Sequence, residues 1–363
     1  MALKFNPLFT ITSEIAQNLL VIEQAKTSMA HLPLSVHLLA RLQETARLTA
    51  THYSTQIEGN LLTQEQVAAV VEHDEHFKGR ERDEHEVKGY YAALDTVEKM
   101  AKTSKPITEK DIMLLHALVM AAGSTRVTPT PYRDGQNVIR SARSRRIVYM
   151  PPEAGDVPSL MKTFVSWIAS AKIPSPLVAA LAHYQFVTIH PYYDGNGRTA
   201  RLLTTLILHK GGYDLKGIYS LEEYYARDLP GYYTALTIGP SHNYYEGRAE
   251  ADLTDWIAYF IHGMALSCTT VIHRAQQLAG KTEADHEQSI RSLNTKQRKI
   301  LTLFRHHTTI SAAQIAKALR IKSRTATQLC TKLMHEGFLV ATTDARRGRR
   351  YMLTKKYQAL VKK

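Results

Sequence analysis

Twelve consecutive residues, HPYYDGNGRTAR at positions 190–201, include several side chains suited to holding phosphate. Gly195 and Gly197 lack a Cβ, so the backbone around them can approach a phosphate closely and adopt positive φ. Arg198 and Arg201 are three residues apart and therefore fall on one face of a helix, where both guanidinium groups can reach phosphate oxygens. The spacing predicts a cradle for a polyphosphate.

Two other side chains in this stretch indicate chemistry beyond binding. Asp194 repels phosphate directly but suits Mg²⁺, which commonly takes one or two carboxylates together with substrate oxygens. His190 has a pKa range that suits proton abstraction from a hydroxyl near neutral pH. Most of the 17 histidines in a chain like this one are structural, but six such positions in order within twelve residues are specific. Together they predict phosphoryl or nucleotidyl transfer.

Helices on both sides must position this loop. The preceding helix is predicted over 176–189, with His190 at its end and Pro191 stopping it, and the next is predicted over 198–210. The second helix begins with free backbone N–H groups and the positive end of its dipole, which favour an anion there. Apolar spacing predicts further helices over 34–58, 63–72, 84–102, 108–122, 155–170 and 252–276.

One segment, NVIRSARSRRIVYMPP at positions 137–152, departs from the helical pattern. It is rich in β-branched residues and ends in two prolines, which a helix interior does not tolerate. The pattern predicts a short β-hairpin on a helical scaffold. Such a hairpin serves either as a functional lid or as a surface feature with no role.

The loop at 190–201 resembles the Fic family motif, His-Pro-Phe-x-Asp/Glu-Gly-Asn-Gly-Arg-x-x-Arg, with Tyr192 in place of the usual phenylalanine. The resemblance covers roughly residues 1–275. It implies a mainly α fold, a Fic-type helical bundle with a β-hairpin flap, that transfers AMP from ATP to a Ser, Thr or Tyr hydroxyl of a target protein or of itself. It also implies that His190 takes the proton from that hydroxyl and that Asp194 holds Mg²⁺ on the α- and β-phosphates.

The resemblance assigns the remaining loop residues to the phosphates. Asn196, with the backbone around Gly195 and Gly197, would seat them, while Arg198 would steady the β-phosphate side and Arg201 would reach the γ-phosphate. The relatives that phosphorylate depart at the Gly-Asn-Gly-Arg positions. Those positions are intact here, which favours transfer of AMP.

Two further sets of residues acquire roles in the same way. The hairpin resembles the family's flap, which pairs with an extended target segment, strand added to strand. The residues that would close over nucleotide and target are Arg146, Ile147, Val148 and Tyr149. Tyr232 and Tyr233 match a family position beside the adenine, although the family's asparagine eight residues after the first of them is Pro240 here.

A second motif, STQIEGN at positions 54–60, places Glu58 in the last turn of a helix, just before Gly59. A carboxylate there faces the negative end of the dipole, which costs about 0.3–1 kcal/mol unless a cation meets it. Ser54, Glu58 and Gly59 resemble the family's inhibitory motif, Ser/Thr-x-x-x-Glu-Gly/Asn. The resemblance implies that Glu58 pairs with Arg201 in the γ-phosphate part of the nucleotide site and keeps ATP from binding productively. The alternative is an ordinary exposed glutamate.

The positive charge of the chain is concentrated at its C-terminal end. Residues 291–363 carry 18 Lys and Arg against two acidic residues, a charge of +16, whereas residues 1–290 carry −3. Three short amphipathic helices and a two-stranded hairpin follow one another there and predict a winged helix-turn-helix. Its recognition helix would present Arg324, Gln328 and Lys332, and its wing would carry Arg346, Arg347, Arg349 and Arg350. DNA binding and protein docking are both open.

The domain organisation that follows is an N-terminal helical region at 1–105 with the inhibitory helix, a catalytic core at 106–276, a linker at 277–293 and a winged-helix domain at 294–363. Cys268 and Cys330 read as buried free thiols of a reducing compartment. The N-terminus shows no secretory pattern and no run of eighteen apolar residues occurs, so the sequence predicts a cytoplasmic protein with no membrane partner.

Two alternatives to AMP transfer remain open at this stage. The chain could be a DNA-binding transcriptional regulator whose helical body senses nucleotide, or the same site could remove AMP, with Glu58 orienting a water. The expected partners are a target protein with a hydroxyl side chain, ATP, DNA through residues 294–363, and a second copy of the chain.

Overall fold

A computed structural model describes residues 5–140, 147–239, 242–304, 307–342, 349–358 and 361, with the backbone alone for 280–292 and 356. The chain divides into two compact units, Met1–Ala275 and Gln276–Lys363. Its secondary structure is mainly α-helical, which confirms the predicted fold class. Within these described residues, no helix has the length and apolar character needed to span a bilayer.

The helices of the first unit account for most of its described residues. They are α1 (Ser13–His31), α2 (Val36–Ile57), α3 (Gln64–His73), α4 (Glu81–Ala101), α5 (Glu109–Met120), α6 (Val157–Ser170), α7 (Ser175–Ile189), α8 (Asn196–Lys210), α9 (Glu222–Arg227), α10 (Leu229–Leu236) and α11 (Thr254–Ser292), which begins in this unit and continues past Ala275.

Helix α7 lies at the centre of the first unit. Its sequence, SPLVAALAHYQFVTI, is apolar on every face, and nearly all of its side chains are buried. A helix without a polar face is stable only when neighbours cover it on all sides. Helix α8 packs along it, and Trp256 of α11 donates a hydrogen bond from its indole N–H to the Ala180 carbonyl at 2.7 Å. The loop at 190–195 therefore follows directly from a buried helix.

The predicted hairpin is present as two short antiparallel strands, β1 (Ile139–Arg140) and β2 (Ile147–Tyr149). The chain beyond β2 is held by a second contact, in which the Met150 N–H donates to the His242 carbonyl at 2.7 Å. Arg146, which the resemblance assigns to the flap, lies outside the described residues. The hairpin is thus anchored at the base of its second strand.

The second unit has its own hydrophobic core, to which Ile300, Ile315, Leu333 and Phe338 contribute. Its described elements are α12 (Thr295–Leu303), β3 (Ile310–Ser311), α13 (Ala312–Leu319), α14 (Ser323–His335), β4 (Leu339–Ala341), β5 (Arg350–Leu353) and α15 (Lys355–Gln358). The strands form an antiparallel sheet in the order β3-β5-β4. The winged-helix assignment stays a prediction.

Helix α11 is longer than the sequence pattern indicates. The predicted helix ends at residue 276 and a polar linker follows, whereas helical backbone continues to Ser292. The segment between Gly280 and Ser292 contains no proline, and six of its thirteen residues are Lys, Arg, Glu, Ala or Gln, which are good helix formers. Polarity alone therefore does not end this helix.

Candidate functional site

The loop after α7 begins with an unusual backbone conformation at His190. Its φ and ψ of 52° and 59° are left-handed, and its N–H donates to the Phe186 carbonyl, so His190 caps the helix. Its own carbonyl accepts a hydrogen bond from Arg133 Nε at 3.0 Å. Arg133 is buried and also donates to the carbonyl of Pro152 beside the hairpin. This arginine, which no sequence motif identifies, fixes the start of the loop.

The His190 ring is arranged to accept a proton. Its Nδ1 lies 3.3 Å from the Val187 carbonyl, which assigns the ring proton to Nδ1 and leaves a lone pair on Nε2. Burial lowers the pKa of His190 to about 4; the Arg133 guanidinium adds to this, while the Glu58 and Asp194 carboxylates oppose it. The imidazole is therefore neutral at pH 7, as a general base must be.

Asn196 holds the shape of the loop with its side chain. Its amide accepts from the Tyr192 N–H at 3.0 Å and donates to the Tyr192 carbonyl at 2.8 Å, and the residue is buried. Gly195 has φ +74° and begins α8. The Asn196 side chain is thus engaged inside the loop, and its predicted contact with phosphate could be made only by its backbone N–H at the helix N-terminus.

Asp194 is the exposed acidic group of the loop, with 63% of its side chain accessible. Its Oδ1 accepts from the Gly195 N–H at 2.6 Å and lies 3.5 Å from Arg198 Nη2. Its Oδ2 makes no hydrogen bond to a described residue. No group of three or more His, Cys, Asp or Glu suited to a metal occurs in the described part of the chain. One exposed carboxylate with an uncommitted oxygen, Oδ2, fits Mg²⁺ that is shared with substrate phosphates.

Two rings support the loop from below. Tyr192 stacks on His116 with centroids 3.6 Å apart, and His116 Nε2 lies 2.9 Å from the Asp194 carbonyl. Burial lowers the pKa of His116, so its neutral ring donates this hydrogen bond from Nε2. The Tyr192 hydroxyl is buried and has no hydrogen-bond partner among the described residues. His116 is thus a second support that the sequence pattern does not reveal.

Replacement of Tyr192 by phenylalanine should leave the free energy of unfolding unchanged or raise it by up to about 1 kcal/mol. A buried hydroxyl without a partner gives up its hydrogen bonds to water in the folded state, and no protein hydrogen bond replaces them. Tyr232→Phe is the matched control. Its hydroxyl is also buried but lies 2.8 Å from His183 Nε2, so its loss should cost about 1–2 kcal/mol. Urea unfolding of both variants measures the difference. A loss for Tyr192→Phe as large as for Tyr232→Phe would show that the hydroxyl has a partner.

Helix α2 brings Ser54 and Glu58 to the loop from a distant part of the sequence. Arg201 Nη2 donates to Glu58 Oε1 at 2.8 Å and to the Ser54 carbonyl at 2.8 Å, and Arg201 Nε donates to Ser54 Oγ at 2.8 Å. The Arg201 side chain is 1% exposed and that of Glu58 is 31% exposed. Glu58, the carboxylate at the end of α2, therefore pairs with Arg201, the partner that the family resemblance implies.

The Glu58 carboxylate also lies against the N-terminus of α8. A Cβ built on Gly197 would overlap Glu58 Oε1 and would lie 3.2 Å from Arg201 Nη1. Gly59, the next residue, has φ +94°, which ends α2 and turns the chain away. A carboxylate thus occupies the place where the helix dipole and the free N–H groups favour an anion.

Of the residues predicted to contact the target or the adenine, some are exposed and others are buried. Ile147 and Val148 are exposed, at 44% and 39%. Tyr149 is buried, with its hydroxyl donating to the Thr188 carbonyl at 2.8 Å, so it anchors the hairpin and does not close over a ligand. Tyr232 lies in the core, stacked on Tyr225. This corrects its predicted place beside the adenine, because its ring is not at the surface. Tyr233 is 48% exposed beside the end of α2.

Residues 106–208 match the Fic/DOC family. Protein adenylyltransferase Fic from Drosophila erecta is 35% identical over 182 residues, which cover 48% of this chain and 34% of that protein. The protein of the same name from Drosophila grimshawi is 35% identical over 179 residues, 48% of this chain and 35% of that protein. The chain spans about a third of the length of these curated relatives.

Solved structures show the same fold over longer stretches. A Fic family protein from Desulfovibrio desulfuricans G20 superposes with a TM-score of 0.60 at 22% identity, over 97% of this chain and 99% of that one. Fic-1 from C. elegans superposes with a TM-score of 0.57 at 25% identity, over 74% and 73% of the two chains. The chain therefore contains a domain of the Fic/DOC family, which covers residues 106–208 and holds the loop at 190–201.

Proposed function

We propose that this chain is a protein adenylyltransferase, a nucleotidyltransferase that moves AMP from ATP to a Ser, Thr or Tyr hydroxyl of a target protein or of itself. The observation that carries the proposal is the loop at 190–201. It presents a neutral histidine base beside a helix N-terminus with two buried arginines. Curated relatives named protein adenylyltransferase support the same reaction.

In this reaction the target hydroxyl oxygen attacks the α-phosphorus of ATP, and the bond from that phosphorus to the bridging oxygen of the β-phosphate breaks. The hydroxyl proton passes to His190 Nε2, and pyrophosphate leaves. The N–H groups at the start of α8, with Arg198 and Arg201, hold the phosphates. Asp194 would hold Mg²⁺, which would supply positive charge to the phosphate oxygens.

The same proposal includes autoinhibition by Glu58. Its carboxylate pairs with Arg201 and lies against Gly197, so a γ-phosphate and Glu58 compete for one guanidinium group and one helix N-terminus. Two anions cannot share that place without strong repulsion. The chain is therefore restrained until Glu58 moves.

The exposed side chains of β2 offer a place for the target. Ile147 and Val148 are exposed on β2. Asn137, just before β1, donates to the Tyr192 carbonyl at 3.3 Å, so the hairpin lies beside the loop that carries His190. An extended target segment that pairs with this strand would bring a hydroxyl side chain to the base.

The proposed place of action is the cytoplasm. Two buried free thiols, Cys268 and Cys330, and the use of ATP as co-substrate support it.

The discriminating experiment compares ATP labelled at the α-phosphate with ATP labelled at the γ-phosphate, each with Mg²⁺ and the full chain carrying Glu58→Gly. Transfer of the α-label alone, with an AMP-sized mass addition located by mass spectrometry, supports adenylyl transfer. Transfer of the γ-label would show phosphorylation instead. Nucleotide binding without any transfer would favour a nucleotide sensor.

Removal of AMP is a separate outcome of the same site. Glu58 is 31% exposed and faces the loop, so it could orient a water toward a modified side chain. Incubation of an AMP-bearing target with the unaltered chain and with Glu58→Gly tests this. Loss of AMP that requires Glu58 would assign the removal reaction.

For the second unit we propose DNA binding, carried by the charge of +16 on residues 291–363 and by the exposed face of α14, where Arg324, Gln328 and Lys332 lie in solvent. On the predicted wing, Arg346 and Arg347 lie outside the described residues, and Arg350 is engaged with Thr309. Contacts to phosphate make such binding fall steeply with salt. The full chain should shift DNA in a gel, and the shift should weaken as salt is added. Arg324→Ala should make this dependence on salt less steep. Light scattering of the complex measures how many copies of the chain bind. Capture of a protein with no shift would favour docking.

A further inference from the structure

The other arginine of the loop, Arg198, also faces a carboxylate from a distant helix. Its Nη1 lies 3.9 Å from Glu86 Oε1 on α4, and its side chain is 3% exposed. Glu86 is itself buried, and its Oε1 accepts from Arg82 Nε at 3.1 Å. Its other oxygen, Oε2, is therefore free for a separate contact on the opposite side.

Asn60 makes that contact. Its side-chain N–H groups donate to Glu86 Oε2 at 3.1 Å and to the Asp83 carbonyl at 2.9 Å, and its Oδ1 accepts from the Leu62 N–H at 3.1 Å. Asn60 is 4% exposed. A buried amide whose donors and acceptor are all used holds its segment in one position.

The position of Asn60 in the chain gives this contact its importance. Asn60 is two residues after Glu58, and its backbone N–H donates to the Thr55 carbonyl in the last turn of α2. The end of α2 is thus attached to α4 on one side of the turn and to α8, through Glu58 and Arg201, on the other. A backbone shift that carries Glu58 away from Arg201 would therefore also break the contacts of Asn60.

We propose that Asn60 is a positioning residue for autoinhibition: by bonding to Glu86, it holds Glu58 against Arg201 and joins the two arginine–carboxylate contacts of the loop into one unit. Glu86 takes part in both contacts, since its Oε2 accepts a hydrogen bond from Asn60 and its Oε1 lies near Arg198. This rests on the proposed function, because the restraint acts on ATP use at the same loop. It goes beyond that function by adding a second restraint outside the inhibitory motif.

The test is a double-mutant cycle in the full chain with Asn60→Ala and Glu58→Gly, singly and together. Self-labelling with α-labelled ATP should rise about fivefold to tenfold with Asn60→Ala when Glu58 is present. The gain should be smaller than with Glu58→Gly, because Glu58 keeps its own bond to Arg201 and loses only the contact that positions it. Asn60→Asp should raise labelling further, because it sets a second carboxylate beside Glu86. Neither change should add to the rate of Glu58→Gly.

Gln64→Ala is the matched control for the cycle. Gln64 is an amide near the same turn, but it bonds to Thr49 at the surface and not to Glu86. It should label at the rate of the unaltered chain. If Asn60→Ala is too unstable to purify, Glu86→Gln replaces it, because it weakens the same hydrogen bond and leaves the turn sequence intact.

Failure of this inference is distinguishable from failure of the proposed function. If Glu58→Gly labels strongly and Asn60→Ala labels like the unaltered chain, the positioning role is wrong while the function stands. An equal gain from Asn60→Ala with and without Glu58 would also overturn it. If no variant transfers label, the affinity for ATP with Mg²⁺ is the readout, and Asn60→Ala should tighten binding only when Glu58 is present.

Discussion

Replacement of Glu58 by glycine should raise self-labelling with α-labelled ATP by roughly 10- to 100-fold. In the unaltered chain a γ-phosphate must displace a charge-assisted hydrogen bond of 2.8 Å to a buried arginine. Such a bond contributes about 1.5–3 kcal/mol, and each 1.4 kcal/mol corresponds to a factor of about ten in an equilibrium. Removal of the carboxylate also removes its repulsion of the incoming phosphate.

The variant should remain folded, because Arg201 keeps two hydrogen bonds to Ser54. Glu58→Gln is the matched control, since it retains the size of the side chain without its charge and should give an intermediate rate. Thermal unfolding with and without ATP and Mg²⁺ provides a second readout, because nucleotide should stabilise Glu58→Gly more than the unaltered chain. Equal labelling by Glu58→Gly and the unaltered chain, with labelling abolished by His190→Ala, would contradict the inhibitory role.

The sequence predicts this part of the site well because its signals are local. Gly195, Gly197 and the two arginines lie within the first two turns of a helix start, so their spacing alone brings them together. Glu58 is the exception, since it lies 143 positions before Arg201. Its unfavourable place at the end of α2 shows that a cation is needed, and only the family resemblance names which one.

The supporting residues are not predictable in the same way. Arg133, His116 and Glu86 act through hydrogen bonds and ion pairs to residues that are distant in the sequence. An isolated arginine, histidine or glutamate carries no spacing pattern, and its burial depends on how whole helices pack. For the same reason Tyr232 could not be separated from Tyr233 by sequence, although one is in the core and the other at the surface.

Replacement of His190 by alanine should lower labelling by about 10²- to 10⁴-fold, the usual contribution of a general base. The measurement is best made in the Glu58→Gly background, where the starting rate is high. Affinity for ATP should stay within a few-fold, because the phosphates are held by the start of α8 and by the arginines. A large loss of ATP affinity would show that His190 binds nucleotide and is not the base.

The dependence of labelling on pH tests the state of this base. Burial holds the pKa of His190 at about 4, below the ordinary value of 6.5. The base works only when unprotonated, so kcat/KM of Glu58→Gly, measured with saturating Mg²⁺, should stay level as pH falls from 8 to 5 and should decline only near pH 4. Removal of the Glu58 carboxylate, which favours the protonated ring, shifts the decline to lower pH still. A decline that begins near pH 6.5 would mean that His190 titrates as a solvent-exposed histidine. The buried arrangement of His190 would then not be the one in which the enzyme reacts.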